Sequence, residues 1–294
     1  MRYAFIAAHA SRAWPVEDLC AALAVSRSGY YAWRRRPESA RRARDHELAA
    51  LVHAVHALSD RSYGSPRIYR ELAAAGTPCG RHRVARLMRE EGLRAKQGRR
   101  FRPRSSAPPA ALAPNRLARR FHRARSAAEL DRAWAADATA IPTREGWAHL
   151  IAVLDVGSRQ VVGWALGPDL NEALACAALR SALAARRPRP GLLVHSDQGS
   201  PFVSTRFHAL LRQAGAVASM SRRGNCWDNA VVESFFHTLK DERRERLPYP
   251  SFAAARADLF AFIEVWYNRR RRHSTLNHLS PVQYETQLAM QNCP

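Results

Sequence analysis

An α/β domain on a mixed five-stranded sheet flanked by helices, preceded by a small all-α region of helix–turn–helix type, is the fold this sequence predicts. Three observations predict it. Apolar residues recur at helical spacing through the first hundred residues, broken by short turns. After about residue 126 the pattern changes to alternating and continuous apolar runs that read as strands. From there the elements follow in the order β-β-β-α-β-α-β-α, which implies a sheet with both parallel and antiparallel neighbours.

The helical region comes first. Pro15 to Leu23 places Val16, Leu19, Ala22 and Leu23 at helical spacing, with Pro15 suited to a first turn. After a break at Ala24-Val25, Ser26 is positioned as an N-cap before Tyr30, Tyr31 and Trp33. His46 to Leu58 gathers Leu48, Leu51, Val52 and Val55 on one face. A second helix–turn–helix candidate has Ile68 and Leu72 on its first helix, a turn over Gly76 to Gly80, and Val84, Leu87 and Met88 on its second. Gly92 suits the position just past a helix end. His82, Arg86 and Arg89 fall at i, i+4 and i+7, opposite the apolar stripe, with Arg81 next to them. Such a face suits a recognition helix in a DNA major groove; a plain surface helix of a small bundle would carry it as well.

From Arg94 to Arg104 six of eleven residues are basic, Arg99, Arg100 and Arg102 among them, and Pro103, Pro108, Pro109 and Pro114 follow. This reads as an extended linker that lies along a phosphate backbone or serves as a solvated tether, and the two are compatible.

In the second half, Ala133 to Ile141, Ala148 to Val156 and Gln160 to Leu166 read as strands, the last two joined by a turn at Gly157-Ser158. Asn171 to Ala185 is an alanine-rich helix, and Gly191 to His195 a short run typical of a buried strand. Phe202 to Ala214 is helical, Ala216 to Met220 a short strand, and Asp228 to about Arg246 a long helix. The predicted organisation is a helical segment at 1–40, a helix–turn–helix domain at 44–100, a basic, proline-rich linker at 101–125, an α/β core with a C-terminal helix at 126–286, and a tail at 287–294.

Charge narrows the function. The 294 residues include 47 basic against 25 acidic ones, a net charge of +22, which favours a polyanionic partner such as DNA or RNA over a merely solvated basic surface. All the basic residues but Lys96 and Lys240 are arginine, whose planar fork grips phosphate in a bidentate way. The five cysteines are scattered without a Cys-x-x-Cys pair, as expected in a reducing cytosol. His53 and His56 are spaced for a metal, yet only Cys79 follows before the linker, too few ligands for zinc. Neither a signal peptide nor a bilayer-spanning run is expected, so the reading is a cytoplasmic protein.

Three acids are candidates for chemistry. Asp137 falls where alternation offers it at a strand edge. Asp197 ends the Leu192-Leu193-Val194 run, with Gly199 letting the chain turn away. Ligand sites lie at such carboxyl ends in open sheets. Glu233 shares a helix face with His237 and Lys240, while Val232, Phe235, Phe236 and Leu239 form the docking stripe. Asp155 competes for the first position, but Gly157-Ser158-Arg159 after it marks a turn former; Asp228 competes for the third and reads as a helix cap. Ser196 beside His195 is no nucleophile–base pair, because neighbours in a strand point to opposite faces. Three acids on separate elements can hold two divalent ions that activate water or a sugar hydroxyl against a phosphodiester.

Several segments carry a family resemblance. Trp134-x-x-Asp137-x-Thr139, Asp155-x-x-Ser158-Arg159-x-x-Val162-Gly163-Trp164, His195-Ser196-Asp197-Gln198-Gly199-Ser200 and Gly224-Asn225-Cys226-Trp227-Asp228-Asn229-Ala230 resemble bacterial insertion-sequence transposases of the IS-three family, in the product of the second reading frame. The likeness extends to Ser26-Arg27-Ser28-Gly29-Tyr30-Tyr31-x-Trp33 and Tyr63-Gly64-x-x-Arg67-Ile68 near the start. It also takes in Tyr267-Asn268-x-x-Arg271-x-His273-Ser274-x-Leu276 and Ser280-Pro281-x-x-Tyr284 near the end.

The resemblance implies a ribonuclease-H-like, retroviral-integrase-like core whose DDE triad falls on Asp137, Asp197 and Glu233 and binds two Mg²⁺ or Mn²⁺ ions, Asp137 bridging them. It implies hydrolysis at the element ends to free a 3′-hydroxyl, then attack of that hydroxyl on target DNA, with Lys240 on DNA near the scissile phosphate. It further implies a first-reading-frame product as fusion or partner, homo-oligomers on DNA, and no membrane. This chain starts at its own Met1 without that leading part, so independent recombination is left open. Departures are confined to Ala138 and Asn277-His278, none of them an acid. Two other functions remain to be separated: a DNA-binding regulator with an inactive core, and a nuclease of ribonuclease-H type. The Arg269 to Arg272 run disfavours the second, although it also fits a solvated helix end.

Overall fold

The computed structural model describes residues 1–35, 39–77, 79–96, 113–222 and 226–291, with only the backbone of Cys226. Arg99, Arg100 and Arg102 lie outside the described residues.

Helices α1 (Arg2–His9), α2 (Val16–Ala22) and α3 (Arg27–Arg35) close over Ile6, Cys20 and Tyr30. Ser26 caps α3, its Oγ accepting from Gly29 N at 3.1 Å. The sequence did not announce α1, which buries only Ile6 and therefore leaves almost no periodic signal.

Helices α4 (Ala40–Leu58), α5 (Ser65–Ala74) and α6 (Arg81–Glu90) form the second unit, packed around Leu48, Val52, Tyr63, Ile68, Leu72, Val84, Leu87 and Met88. α4 starts six residues before the expected His46, because Ser39 caps a first turn that carries arginine rather than apolar residues. Gly92 takes φ +67° after α6, a conformation that costs glycine little.

The sheet runs in the order β3-β2-β1-β4-β5. Strands β1 (Ala133–Thr143), β2 (Gly146–Asp155) and β3 (Val161–Gly167) form an antiparallel meander. β4 (Leu193–Ser196) lies parallel to β1, and β5 (Val217–Met220) parallel to β4. Alternation sorts the side chains. Trp134, Ala136, Ile151 and Val153 face α7 (Glu172–Arg186) and α8 (Thr205–Gln213). Ala135, Ile141, Leu150 and Leu154 face α9 (Ala230–Glu242) and α10 (Phe252–Phe260). Gly163 allows α7 to lie directly on β3: a Cβ there would come within 2.6 Å of the Ala178 carbonyl oxygen. That close approach accounts for the glycine of Val162-Gly163-Trp164.

The long helix expected from Asp228 to Arg246 is divided. A 3₁₀ turn over Cys226–Asn229 precedes α9, and a second over Arg244–Arg246 follows it. Past α10 the chain continues as a π-type turn, Ala261–Tyr267, and α11 (Pro281–Gln291) closes the core with Tyr284 and Leu288 buried. The boundary expected at 286 falls inside α11.

The second helical unit sits against the C-terminal part of the core. Arg272 N donates to Tyr63 Oη at 2.8 Å, and the Arg272 guanidinium grips the Glu71 carboxylate at 2.6 and 3.0 Å. The Tyr63 and Trp266 rings lie 5.5 Å apart. Glu242, at the end of α9, accepts from Trp266 Nε1 and Arg271 Nε at 2.8 Å each. Of the Arg269 to Arg272 run, only Arg269 and Arg270 are solvated; Arg271 is buried and Arg272 half-buried. Among the described residues no helix is long and apolar enough to cross a membrane.

Candidate active site

Sheet register sets two of the three acids side by side. β1 and β4 are parallel, with Ala136 opposite Ser196 as the last pair. Asp137 and Asp197 are the next residues on each chain, so they follow the last paired residues of neighbouring strands, whose backbones run about 4.8 Å apart. Both share the parity of Ala135, which packs in the cluster under α9. The third acid arrives on α9, whose Val232, Phe235, Phe236 and Leu239 are buried against that face of the sheet. Asn229, just before α9, donates its side-chain amide to the Ala136 carbonyl at 3.0 Å and so pins the helix start beside Asp137. Glu233 follows one helical turn later.

Electrostatics report the same convergence. Asp137 is pushed well above the usual carboxylate range by burial, then by the charge of Asp197, against the Ala138 N–H, with smaller opposing contributions from Glu233 upward and Lys240 downward. Burial raises Asp197 as well, opposed by the Gly199 N–H, and burial plus the Asp197 charge raise Glu233. Desolvation lowers Lys240, with Asp137 acting in the opposite direction. Three carboxylates, of which Asp197 raises the other two and Glu233 raises Asp137, form a hard, anionic oxygen donor set, which fits Mg²⁺ or Mn²⁺. Both aspartates turn one oxygen to the backbone: Asp137 Oδ1 accepts from Ala138 N at 2.7 Å and Asp197 Oδ1 from Gly199 N at 2.9 Å. Among the described residues no three His, Cys, Asp or Glu side chains are grouped tightly enough to hold a metal ion.

The competing acids have other duties. Asp155 is fully buried and accepts from Ser158 N at 2.7 Å and Asp131 N at 3.1 Å, the turn-forming role its sequence context indicated. Asp228 does not cap α9, contrary to expectation. It is fully buried and accepts from Arg222 N at 3.0 Å, Arg119 Nε at 2.8 Å and Asn115 Nδ2 at 2.8 Å. The cap position belongs to Asn229, whose side chain turns to the sheet instead. Sequence reasoning missed Asn229, Arg119 and Arg222. Only Asn229 had a local signal, its place in the Trp227-Asp228-Asn229 segment; the arginines depend on Asp228, in one case 109 residues away. His237 pairs with Asp241 at 3.1 Å rather than with Glu233.

On α6, Arg81, His82 and Arg89 are exposed. Arg86 is held within the unit, bonded to Asp45 at 2.7 Å and Glu90 at 2.8 Å. His53 pairs with Glu91, and His56 is buried against the Arg94 carbonyl, so neither belongs to a metal site.

Family comparisons agree with this architecture. The Integrase core domain family matches residues 128–226, a second Integrase core domain family matches 214–281, and an HTH-like domain family matches 43–101. Fold and matches together define an enzyme of the DDE-type transposase/integrase class. Transposase InsF for insertion sequence IS3A of Escherichia coli (strain K12) is 39% identical over 288 residues, covering 97% of this chain and 98% of the relative. The insertion element IS600 uncharacterized 31 kDa protein of Shigella sonnei is 38% identical over 267 residues, 90% and 97% of the two chains. The chain therefore belongs to the insertion-sequence transposase family of IS3 InsF. Among solved structures, the catalytic core domain of BIV integrase is 16% identical with a TM-score of 0.40, over 55% of this chain and 97% of that one.

Proposed function

We propose that this chain hydrolyses phosphodiester bonds at the ends of an insertion sequence and joins the freed 3′-hydroxyls to target DNA. The observation that supports the reading is that Asp137, on β1, and Asp197, just past the parallel β4, follow the last paired residues of adjacent strands, on the face over which α9 packs. These three residues would hold two Mg²⁺ ions, for which Mn²⁺ could substitute, and the bound ions would supply activation of the attacking oxygen and offset charge on the phosphate. The protein's own part is positioning. Asn229 fixes α9 against the strand that bears Asp137, and Lys240 contacts a phosphate beside the scissile bond. Arg81, His82 and Arg89 face the major groove, while Arg86, already paired, braces α6. Arg99, Arg100 and Arg102 run along the phosphate backbone.

The enzyme works as a homo-oligomer on transposon ends and target DNA, with a first-reading-frame product as fusion or partner, in the bacterial cytoplasm at the nucleoid. The test is incubation of the chain, with and without a fused upstream partner, with labelled element-end DNA and Mg²⁺. Nicked and joined products are expected, and Asp137→Asn abolishes them while DNA binding persists. Binding without cleavage would favour a regulator with an inactive core, and degradation of an RNA–DNA hybrid a simple nuclease.

A further inference from the structure

Beside the acids stands a side chain that the proposed chemistry does not use. Trp227 is 68% exposed, the most solvated tryptophan in the chain. Tryptophan is enriched at interfaces, where its ring offers a large apolar face. Its backbone is firmly held. The next residue, Asp228, is fully buried and gathers Arg222, Arg119 and Asn115. The one after, Asn229, bonds to Ala136 O, adjacent to Asp137. The indole therefore projects into solvent from an anchored turn, within two residues of a direct tie to the floor of the acidic site.

The residue that follows it gathers two cations. Asp228 orients the guanidiniums of Arg119 and Arg222, whose side chains are 43% and 60% exposed. Asp228 itself is held far below the usual carboxylate range, first by Arg222. An exposed π-face next in sequence to the carboxylate that fixes two part-exposed guanidiniums suits a nucleotide, with the base on the ring and the phosphates at the arginines. An apolar protein partner would instead leave those guanidiniums to be desolvated.

We propose that Trp227 is a stacking platform for an unpaired nucleobase at the DNA end being processed, with Arg119 and Arg222 on the adjoining phosphates. A base that leaves the duplex there exposes its flanking phosphodiester to the acids, and stacking offsets the cost of unpairing. The inference rests on the reading of the acidic site as DNA-cleaving, so its test avoids catalysis.

The experiment uses the full chain carrying Asp137→Asn, without metal, and two DNA duplexes of one sequence. One duplex is fully paired; the other has unpaired nucleotides at one end, including a fluorescent adenine analogue. The parent protein is expected to prefer the frayed duplex by about 10- to 100-fold, the range that base–aromatic stacking supplies, and to quench the analogue. Trp227→Ala should lose both the preference and the quenching while its affinity for the paired duplex stays unchanged, and Trp227→Phe should keep part of each. Because the side chain is exposed, the substitutions leave the fold intact, which a thermal melt checks. A preference that survives Trp227→Ala overturns the proposal. So does an equal loss for both duplexes, or a loss confined to self-association in sedimentation, which would make the indole a protein-binding surface. Failure of cleavage assays with unmodified protein would bear on the acidic site alone.

Discussion

Acid is expected to destabilise this protein through one buried histidine, and His195→Gln isolates the effect. His195 lies on β4, two residues before Asp197, with no solvent exposure. Its Nδ1 is 2.8 Å from Ser219 Oγ and its Nε2 3.1 Å from Ser221 Oγ. Ser219 Oγ already accepts from Arg116 N at 2.9 Å and Leu117 N at 3.2 Å, so its hydroxyl hydrogen is directed at Nδ1. Nδ1 is thus an acceptor, and the neutral ring donates from Nε2 to Ser221. A second ring proton would meet a hydroxyl with no free lone pair. Burial and this arrangement push the imidazole from 6.5 down to about 4, despite the opposing charge of Asp228. Above 6.5 neither the folded nor the unfolded state binds the proton. As pH falls from 6.5 toward 4 the unfolded chain takes it up and the folded chain does not, so stability is lost. At about pH 4.5 the loss attributable to this group is about 2 to 3 kcal/mol. Urea unfolding of the parent and of His195→Gln, compared from neutral pH to about pH 4.5, checks it. The stability gap at neutral pH should narrow by that amount, since every other histidine is common to both proteins. A gap independent of pH would refute the reasoning.

Arg272 grips Glu71 across the two units, and both are partly buried, so Glu71→Arg should cost about 2 kcal/mol in urea unfolding. The exchanged pair Glu71→Arg with Arg272→Glu should recover part of that loss; a double variant no better than the sum of the singles would contradict the pairing. On α6, Arg89→Ala should weaken duplex binding and reduce the salt slope by about one, whereas Arg86→Ala should lower stability slightly with little change in affinity. Filter binding over a salt series and thermal melts separate the two outcomes.

Much of this arrangement was legible because local pattern and tertiary demand agree. Alternation around Asp137 and the apolar run before Asp197 identify strand ends, and the sheet register then does the rest. Glu233 is different. Its helix face is readable, but its pairing with the aspartates rests on packing between elements, which only the family motif implied in advance. Asp228 was misread since a buried ion-pair hub and a helix cap look alike in a turn-rich segment; its partner Arg119 is remote in sequence. The basic stripe on α6 made the exposed face legible yet concealed that Asp45 of α4 occupies Arg86. The motifs Tyr63-Gly64-x-x-Arg67 and Tyr267-Asn268-x-x-Arg271 gain a common explanation. Both lie where the helical unit meets the core: Tyr63 accepts from Arg272 N, while Asn268 fastens the chain to Val161 at 2.9 and 3.0 Å.

Anomalous diffraction from crystals grown with Mn²⁺ and an uncleaved DNA end tests the convergence of the acids most directly. The predicted result is metal density coordinated by carboxylate oxygens of Asp137, Asp197 and Glu233 together, diminished in Glu233→Gln. Metal bound elsewhere, or Glu233 remaining apart from both aspartates with DNA in place, would contradict it.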